Sequence, residues 1–190
     1  MKKYQIIYAD PPWNFSGYVR ENKNGISRPQ IPYQMMTNEE IMRLPIRNIV
    51  DNNAILFLWV VDSRIKIINE LMTSWGFTYK TVGFVWNKIA KTTNGVNATF
   101  SKYTRKSCEF LFIGTRGKCL ATNHTQNQYF PKVKTRHSEK PEEIKSMILK
   151  MCGDLPRIEL FARTKTEGWD VWGNEVESDI DLTACKIKLC

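Results

Sequence analysis

Tyr4-Gln5-Ile6-Ile7-Tyr8-Ala9-Asp10-Pro11-Pro12-Trp13 decides how this chain is read. Residues 4–9 form a short, mostly apolar run that reads as a β-strand. The strand stops abruptly and hands a carboxylate, two rigid prolines and an indole to whatever lies at its tip. That ending suits the alkylation of the exocyclic amine of a purine swung out of its stack. An amine conjugated to an aromatic ring is a weak nucleophile, because its lone pair is delocalised. The Asp10 carboxylate can accept one hydrogen bond from such an NH2 group, and the Pro11 carbonyl can accept the second. Together they favour a tetrahedral nitrogen with its lone pair aimed at a methyl donor. Pro11 and Pro12 fix their own dihedrals, so both acceptors are set before a substrate arrives. Trp13 offers a flat apolar face for the base. The competing reading is a strand that runs into an ordinary turn, and the rest of the chain has to decide between the two.

Working outward, strand and helix patterns alternate. Residues 16–36, with Gly17, Gly25, Pro29 and Pro32, read as a loop placed to fold over the site. Thr37-Asn38-Glu39-Glu40 is a capping box and predicts a helix to about Leu44. Residues 54–61 are a continuous apolar run, the mark of a strand buried on both faces. Ser63 reads as the cap of a helix that ends at Gly76. Strands are predicted at about 77–86 and at 108–113, the second closed by Gly114, with an irregular basic stretch at 87–107 between them. A polar loop is predicted over 117–137 and a helix from Pro141 to about Met151, with Gly153 at its end. Strands follow at 157–162 and 169–172. Alternation of this kind predicts an α/β sheet that binds ligands at the carboxyl ends of its strands. Asp10 and the Phe161-Ala162-Arg163 segment both fall at such ends.

The chain has 190 residues, enough for one domain over 1–190 with a substantial core. The stretch before Asp10 is too short for a signal peptide or a membrane span, which leads to the expectation of a soluble, cytoplasmic protein with no membrane partner. The five cysteines form no CxxC pair, and neither His124 nor His137 has metal-ligand spacing to them. They read as reduced and structural, and no metal is expected.

Net charge is +9, and its placement is informative. Residues 86–140 hold 11 Lys and Arg against Glu109 and Glu139, so this segment carries the whole excess. It also holds Phe100, Tyr103, Tyr129 and many Asn, Gln and Thr. Cations interleaved with aromatic and polar groups suit phosphate and base contacts, so the segment reads as the nucleic-acid-binding part of the chain. On the cofactor side no GxG occurs, which argues against a nicotinamide or flavin enzyme. Phe161-Ala162-Arg163 and the Asn174-Glu175 pair, each at a strand tip, offer another way to hold an adenosine. An acidic residue at such a tip suits ribose hydroxyls.

Taken in order, Tyr8–Trp13, Ser138-Glu139-Lys140-Pro141-Glu142, Ile158–Arg163 and Gly168–Glu175 resemble the MT-A70 family of S-adenosylmethionine-dependent adenine-N6 methyltransferases. Ile55–Trp59, Trp75-Gly76-Phe77 and Glu109–Gly114 fall in the order that resemblance requires. It implies a Rossmann-like class I methyltransferase fold in permuted order, with the catalytic motif ahead of the cofactor-binding strand. It implies Asp10, Pro11, Pro12 and Trp13 as the catalytic motif and S-adenosylmethionine as cofactor. Asp10, Lys140, Phe161, Arg163, Asn174 and Glu175 would contact that cofactor. Trp13, Tyr33 and Glu109 would meet the substrate, as would Lys88 and Arg105 from the basic segment. DNA is the expected partner, ahead of RNA. A homodimer, a partner subunit and an inactive nucleic-acid-binding scaffold stay open. A small-molecule amine methyltransferase would leave the basic segment unexplained. The chain departs from the mRNA enzymes at Lys165 and Thr166, where those carry a His-Asn pair.

Overall fold

The structure is a computed structural model that describes residues 2–14, 20–22, 25–27, 35–133 and 140–182. Its sheet is built from β1 (Tyr4–Ala9), β4 (Val50–Val60), β5 (Thr78–Ile89), β6 (Cys108–Arg116), β7 (Tyr129–Val133), β8 (Arg157–Leu160) and β9 (Asp170–Trp172). Two short strands, β2 (Arg20–Asn22) and β3 (Gly25–Ser27), pair antiparallel as a separate hairpin. The helices are α1 (Asn38–Arg43), α2 (Ile68–Ser74) and α3 (Glu143–Cys152).

Across the sheet the order is β7-β5-β6-β4-β1-β8-β9. Every neighbouring pair is parallel except those that β6 makes with β4 and β5. Strand β1 therefore lies between β4 and β8, so the opening motif and the late motif sit side by side. This is a Rossmann-like sheet in the permuted order that the resemblance implies.

Burial explains the elements. Residues 54–60 of β4 are all buried, as a central strand covered on both faces requires. One face packs against α1, α2 and the 3-10 turns around them, with Ile41, Leu71, Met72 and Trp75 in the core. The Trp75 indole donates to the Ile41 carbonyl (2.9 Å) and ties α2 to α1. The other face takes α3 through Ile144, Ile148 and Cys152. In β1, Gln5 and Ile6 both donate to the Pro156 carbonyl, and the register slips between Tyr4 and Ile6. This bulge sends Tyr4 to the same face as Ile7 and Ala9, and leaves Ile6 and Tyr8 on the α3 face.

Several sequence expectations are corrected. Ser63 caps no α-helix: it lies inside a 3-10 stretch (Asp62–Ile67), and α2 begins only at Ile68. Gly114 does not close β6, which runs on to Arg116. A Cβ at Gly114 would lie 2.9 Å from the Met72 sulfur, so glycine lets α2 approach the sheet. The stretch 117–137 is not all loop, because 129–133 form β7, an edge strand that accommodates Pro131. The 87–107 stretch is partly ordered: β5 continues to Ile89, and bridges join Ile89 to Val96 and Thr99 to Lys106. Within 16–36 the described residues include the β2–β3 hairpin, and Tyr33 lies outside the described residues.

Candidate active site at the carboxyl edge

Register places the site. Ala9 aligns with Leu160 of β8, Leu160 with Trp172 of β9, and Ala9 with Leu58 of β4. One residue further along each strand, Asp10, Phe161, Gly173 and Trp59 stand at one level on the carboxyl edge. Strand β6 runs the other way, with Phe110 beside Val60, so its amino end delivers Glu109 to that same edge. Lys140 arrives from just before α3.

These groups form a ladder of alternating charge. The Lys140 ammonium contacts Asp10 Oδ2 at 2.8 Å and Glu109 Oε2 at 3.2 Å. Lys88 contacts Glu109 Oε1 at 2.5 Å. Lys140 also lies over the Trp59 ring (5.4 Å) and Lys88 over the Trp86 ring (5.5 Å). Burial pushes the Asp10 carboxyl above the usual aspartate range, with Glu109 adding to the rise and Lys140 opposing it. Burial also disfavours charge on Glu109, but Lys140 and Lys88 outweigh it and hold that carboxyl low. Burial works against the Lys140 ammonium too, yet Asp10 and Glu109 prevail and keep it protonated. Beneath the ladder, the Trp59 indole donates to the Tyr8 hydroxyl (2.8 Å), and burial keeps that phenol un-ionised.

The Asp10–Trp13 tetrapeptide is tightly wound. Trp13 N–H donates to the Pro11 carbonyl (2.9 Å), a three-residue turn, and Met36 N–H donates to the Pro12 carbonyl (2.8 Å). The Pro11 oxygen keeps a second lone pair for a substrate amine. Trp13 is 3% exposed, packs in the core and donates through its indole to the Trp59 carbonyl at 3.3 Å. In this arrangement it anchors the motif to β4. The Lys88 ammonium pairs with Glu109. Arg105 is exposed, on the stretch that follows β5.

The tips of β8 and β9 lie close together. Ala162 N–H donates to the Trp172 carbonyl (3.0 Å), and a Cβ at Gly173 would fall 2.2 Å from the Ala162 oxygen. Only glycine fits there. Phe161 holds a left-handed backbone (φ 62°) and sets its ring edge-on to Trp172 at 5.3 Å. Non-glycine residues adopt that conformation at a cost and often beside functional sites. Arg163 reaches Glu175 at 3.6 Å, and Asn174 and Glu175 are exposed at the strand tip. This donor set fits S-adenosylmethionine: an ammonium for a carboxylate, an aromatic ring beside an adenine, and exposed polar groups for ribose hydroxyls.

Two site features escaped the sequence reading. One is the Trp59–Tyr8 layer, hidden inside apolar strands. The other is the half-hidden Lys145–Glu159 ion pair (2.5 Å) that fastens α3 to β8. Alternation was the available signal, because Arg157 and Glu159 alternate with the buried Ile158 and Leu160. Of the cysteines, Cys152 is buried, and burial pushes its thiol up to about 12. Among the described residues no group of three His, Cys, Asp or Glu could hold a metal, and no helix is long and apolar enough to cross a membrane.

A sheet of this topology, with Asp-Pro-Pro-Trp at the end of a central strand, defines a permuted methyltransferase. Comparison with known proteins agrees. The MT-A70 family model matches residues 4–175, and the chain belongs to that family. The activity that goes with it is S-adenosylmethionine-dependent methylation at adenine N6. The chain is 34% identical to the type II methyltransferase M.MunI of Mycoplasma sp, over 92% of this chain and 78% of that protein. It is 24% identical to the human N(6)-adenosine-methyltransferase catalytic subunit METTL3 and 27% identical to the human N(6)-adenine-specific methyltransferase METTL4. Each of those alignments covers 92% of this chain, but only 28% and 38% of the respective relative.

Proposed function

We propose that residues 1–190 act as one site-specific DNA adenine-N6 methyltransferase domain that engages its polymer through residues in the basic segment 86–140. The observation that carries this reading is the Asp10 carboxylate, held at the carboxyl edge beside Lys140 and level with the β8 and β9 tips. DNA is favoured because the type II methyltransferase is matched along most of both lengths, whereas the adenosine enzyme is matched over a small part of its own.

Bound S-adenosylmethionine supplies an electrophilic methyl group. Asn174 and Glu175 hold its ribose, and Phe161 with Arg163 lines the pocket. Lys140, which pairs with Asp10 and Glu109, would hold the cofactor's carboxylate, and Lys88 would continue to neutralise Glu109. Asp10 accepts one N6 hydrogen of the target adenine and the Pro11 carbonyl accepts the other. Methyl transfer would break the S–CH3 bond and leave a neutral thioether, and positive charge would grow on N6 until its surplus proton is lost to water. Asp10 therefore interacts more strongly with the transition state than with the ground state. Burial strengthens this attraction by excluding water.

The test is incubation with S-adenosylmethionine and matched DNA and RNA pools, followed by nucleoside mass spectrometry. N6-methyldeoxyadenosine as the main product is expected. Methylated adenosine confined to the RNA pool would move the assignment to RNA.

A further inference from the structure

The structure divides the basic segment into two populations of cations. Four are consumed internally, whereas Arg116 and Lys118, at the end of β6 away from the carboxyl edge, form no ion pair among the described residues. Lys88 pairs with Glu109, Lys140 with Asp10 and Glu109, Lys132 with Glu143, and Lys106 with Asp62. Lys91, Lys102 and Arg105 are exposed and pair with no carboxylate among the described residues. All three lie on one projection, the hairpin-like arm 90–107 between β5 and β6.

The same arm carries the most exposed large apolar side chains of the described protein: Tyr103 (86%), Phe100 (77%) and Val96 (58%). Exposed aromatic rings in water are unfavourable unless a partner covers them. The Lys102 ammonium lies 5.4 Å from the Tyr103 ring centre, so cation and ring form one unit. The arm is not loose at its base. Asn97 N–H donates to the Lys88 carbonyl, Thr99 and Lys106 exchange two backbone hydrogen bonds, and Lys106 fastens the arm to Asp62. Its foot stands at the catalytic edge, because Glu109, next to Cys108 where β6 begins, is the partner of Lys140.

We infer that this arm is a nucleic-acid wedge: Phe100 and Tyr103 stack on bases beside the target adenine while Lys91, Lys102 and Arg105 take flanking phosphates. The inference deepens the proposed function and rests on it for the identity of the target. Charge decides the occupant. No acidic residue occurs between Glu70 and Glu109, so two arms meeting across a two-fold axis would set like charges together. A polyanion with aromatic faces complements both features of the arm. Taking a base out of its stack also leaves neighbouring bases with uncovered faces, which such rings can cover.

The experiment uses the full chain and a mixed-sequence duplex DNA pool, with binding read by anisotropy and methylation read separately. Phe100→Ala with Tyr103→Ala should weaken duplex binding about tenfold or more. Changing Lys91, Lys102 and Arg105 to Gln should lower the slope of log affinity against log salt by about three. Cofactor affinity and the melting transition should not move, since these side chains touch neither the site nor the core. Arm variants that bind duplex as tightly as the unaltered protein, with the same salt slope, would overturn the inference. Arm variants that turn a dimer into a monomer in sedimentation, with unchanged binding per protomer, would also overturn it, in favour of a second copy. Failure of the underlying assignment looks different: the unaltered protein would yield no N6-methyladenine while the arm still bound DNA.

Discussion

At the scale of single residues, Asp10 is held in two opposed environments. Burial disfavours its charge, and Lys140 restores it. An acid whose ionised form is disfavoured gives up its proton at higher pH than a free one. In a carboxyl-carbon NMR titration of the free protein, Asp10 should therefore titrate above the exposed aspartates. Lys140→Met removes the opposing cation and should push the midpoint higher still. Glu109, held low by two ammonium groups, should titrate below the ordinary range. On the proposed mechanism turnover uses the Asp10 carboxylate, so the acid limb of activity should begin at a higher pH than an ordinary aspartate would give. The place of Asp10 at a strand tip was legible in the sequence, because an apolar run stops at it and two prolines follow. The fate of Lys88 was not, because its partner Glu109 is 21 residues away in sequence and adjacent only across paired strands.

At the scale of elements, local signals were legible where the chain satisfies its own backbone. The capping box at α1 is formed in full. Glu40 N–H donates to Thr37 Oγ1 (3.2 Å), and the Glu40 carboxylate accepts from Thr37 N–H (2.7 Å). Thr37→Ala should cost about 1 kcal/mol in denaturant unfolding, with the slope unchanged. Elements that rely on distant partners were less legible. Strand β7 is short and interrupted by Pro131, and it exists because β5 offers it an edge. The glycine in β6 reads as a stop but is a packing site for α2. The β8–β9 tip is a sharper case. Gly173→Ala would drive a methyl group into the Ala162 carbonyl, so the tip must open. Cofactor affinity, measured by calorimetry, should fall by at least tenfold in that variant, while Thr37→Ala leaves it unchanged.

At the scale of the whole molecule, permutation is what assembles the site. The first strand is flanked by the fourth and the eighth, so motifs some 150 residues apart in sequence end up at one level. The order of motifs carried this architecture, and the alternation of strand and helix supported it. The distribution of charge was legible only as a total. Sequence showed an excess of nine positive charges in one segment, and the structure shows which cations are already paired. A consequence follows for association. Salt should weaken polymer binding through the unpaired cations of the arm, whereas the Asp10–Lys140–Glu109–Lys88 ladder, being largely enclosed, should resist screening. Raising salt should therefore increase KM for the polymer and leave kcat nearly constant.

The most direct test compares the unaltered protein with Asp10→Asn at saturating S-adenosylmethionine, by single-turnover methyl transfer to DNA and mass spectrometry of the nucleosides. Both proteins should bind the cofactor, and only the unaltered one should form N6-methyldeoxyadenosine at speed, with the variant slower by about a hundredfold or more. An Asp10→Asn protein that methylates adenine at nearly the normal rate, or an unaltered protein that methylates a different atom, would contradict the account.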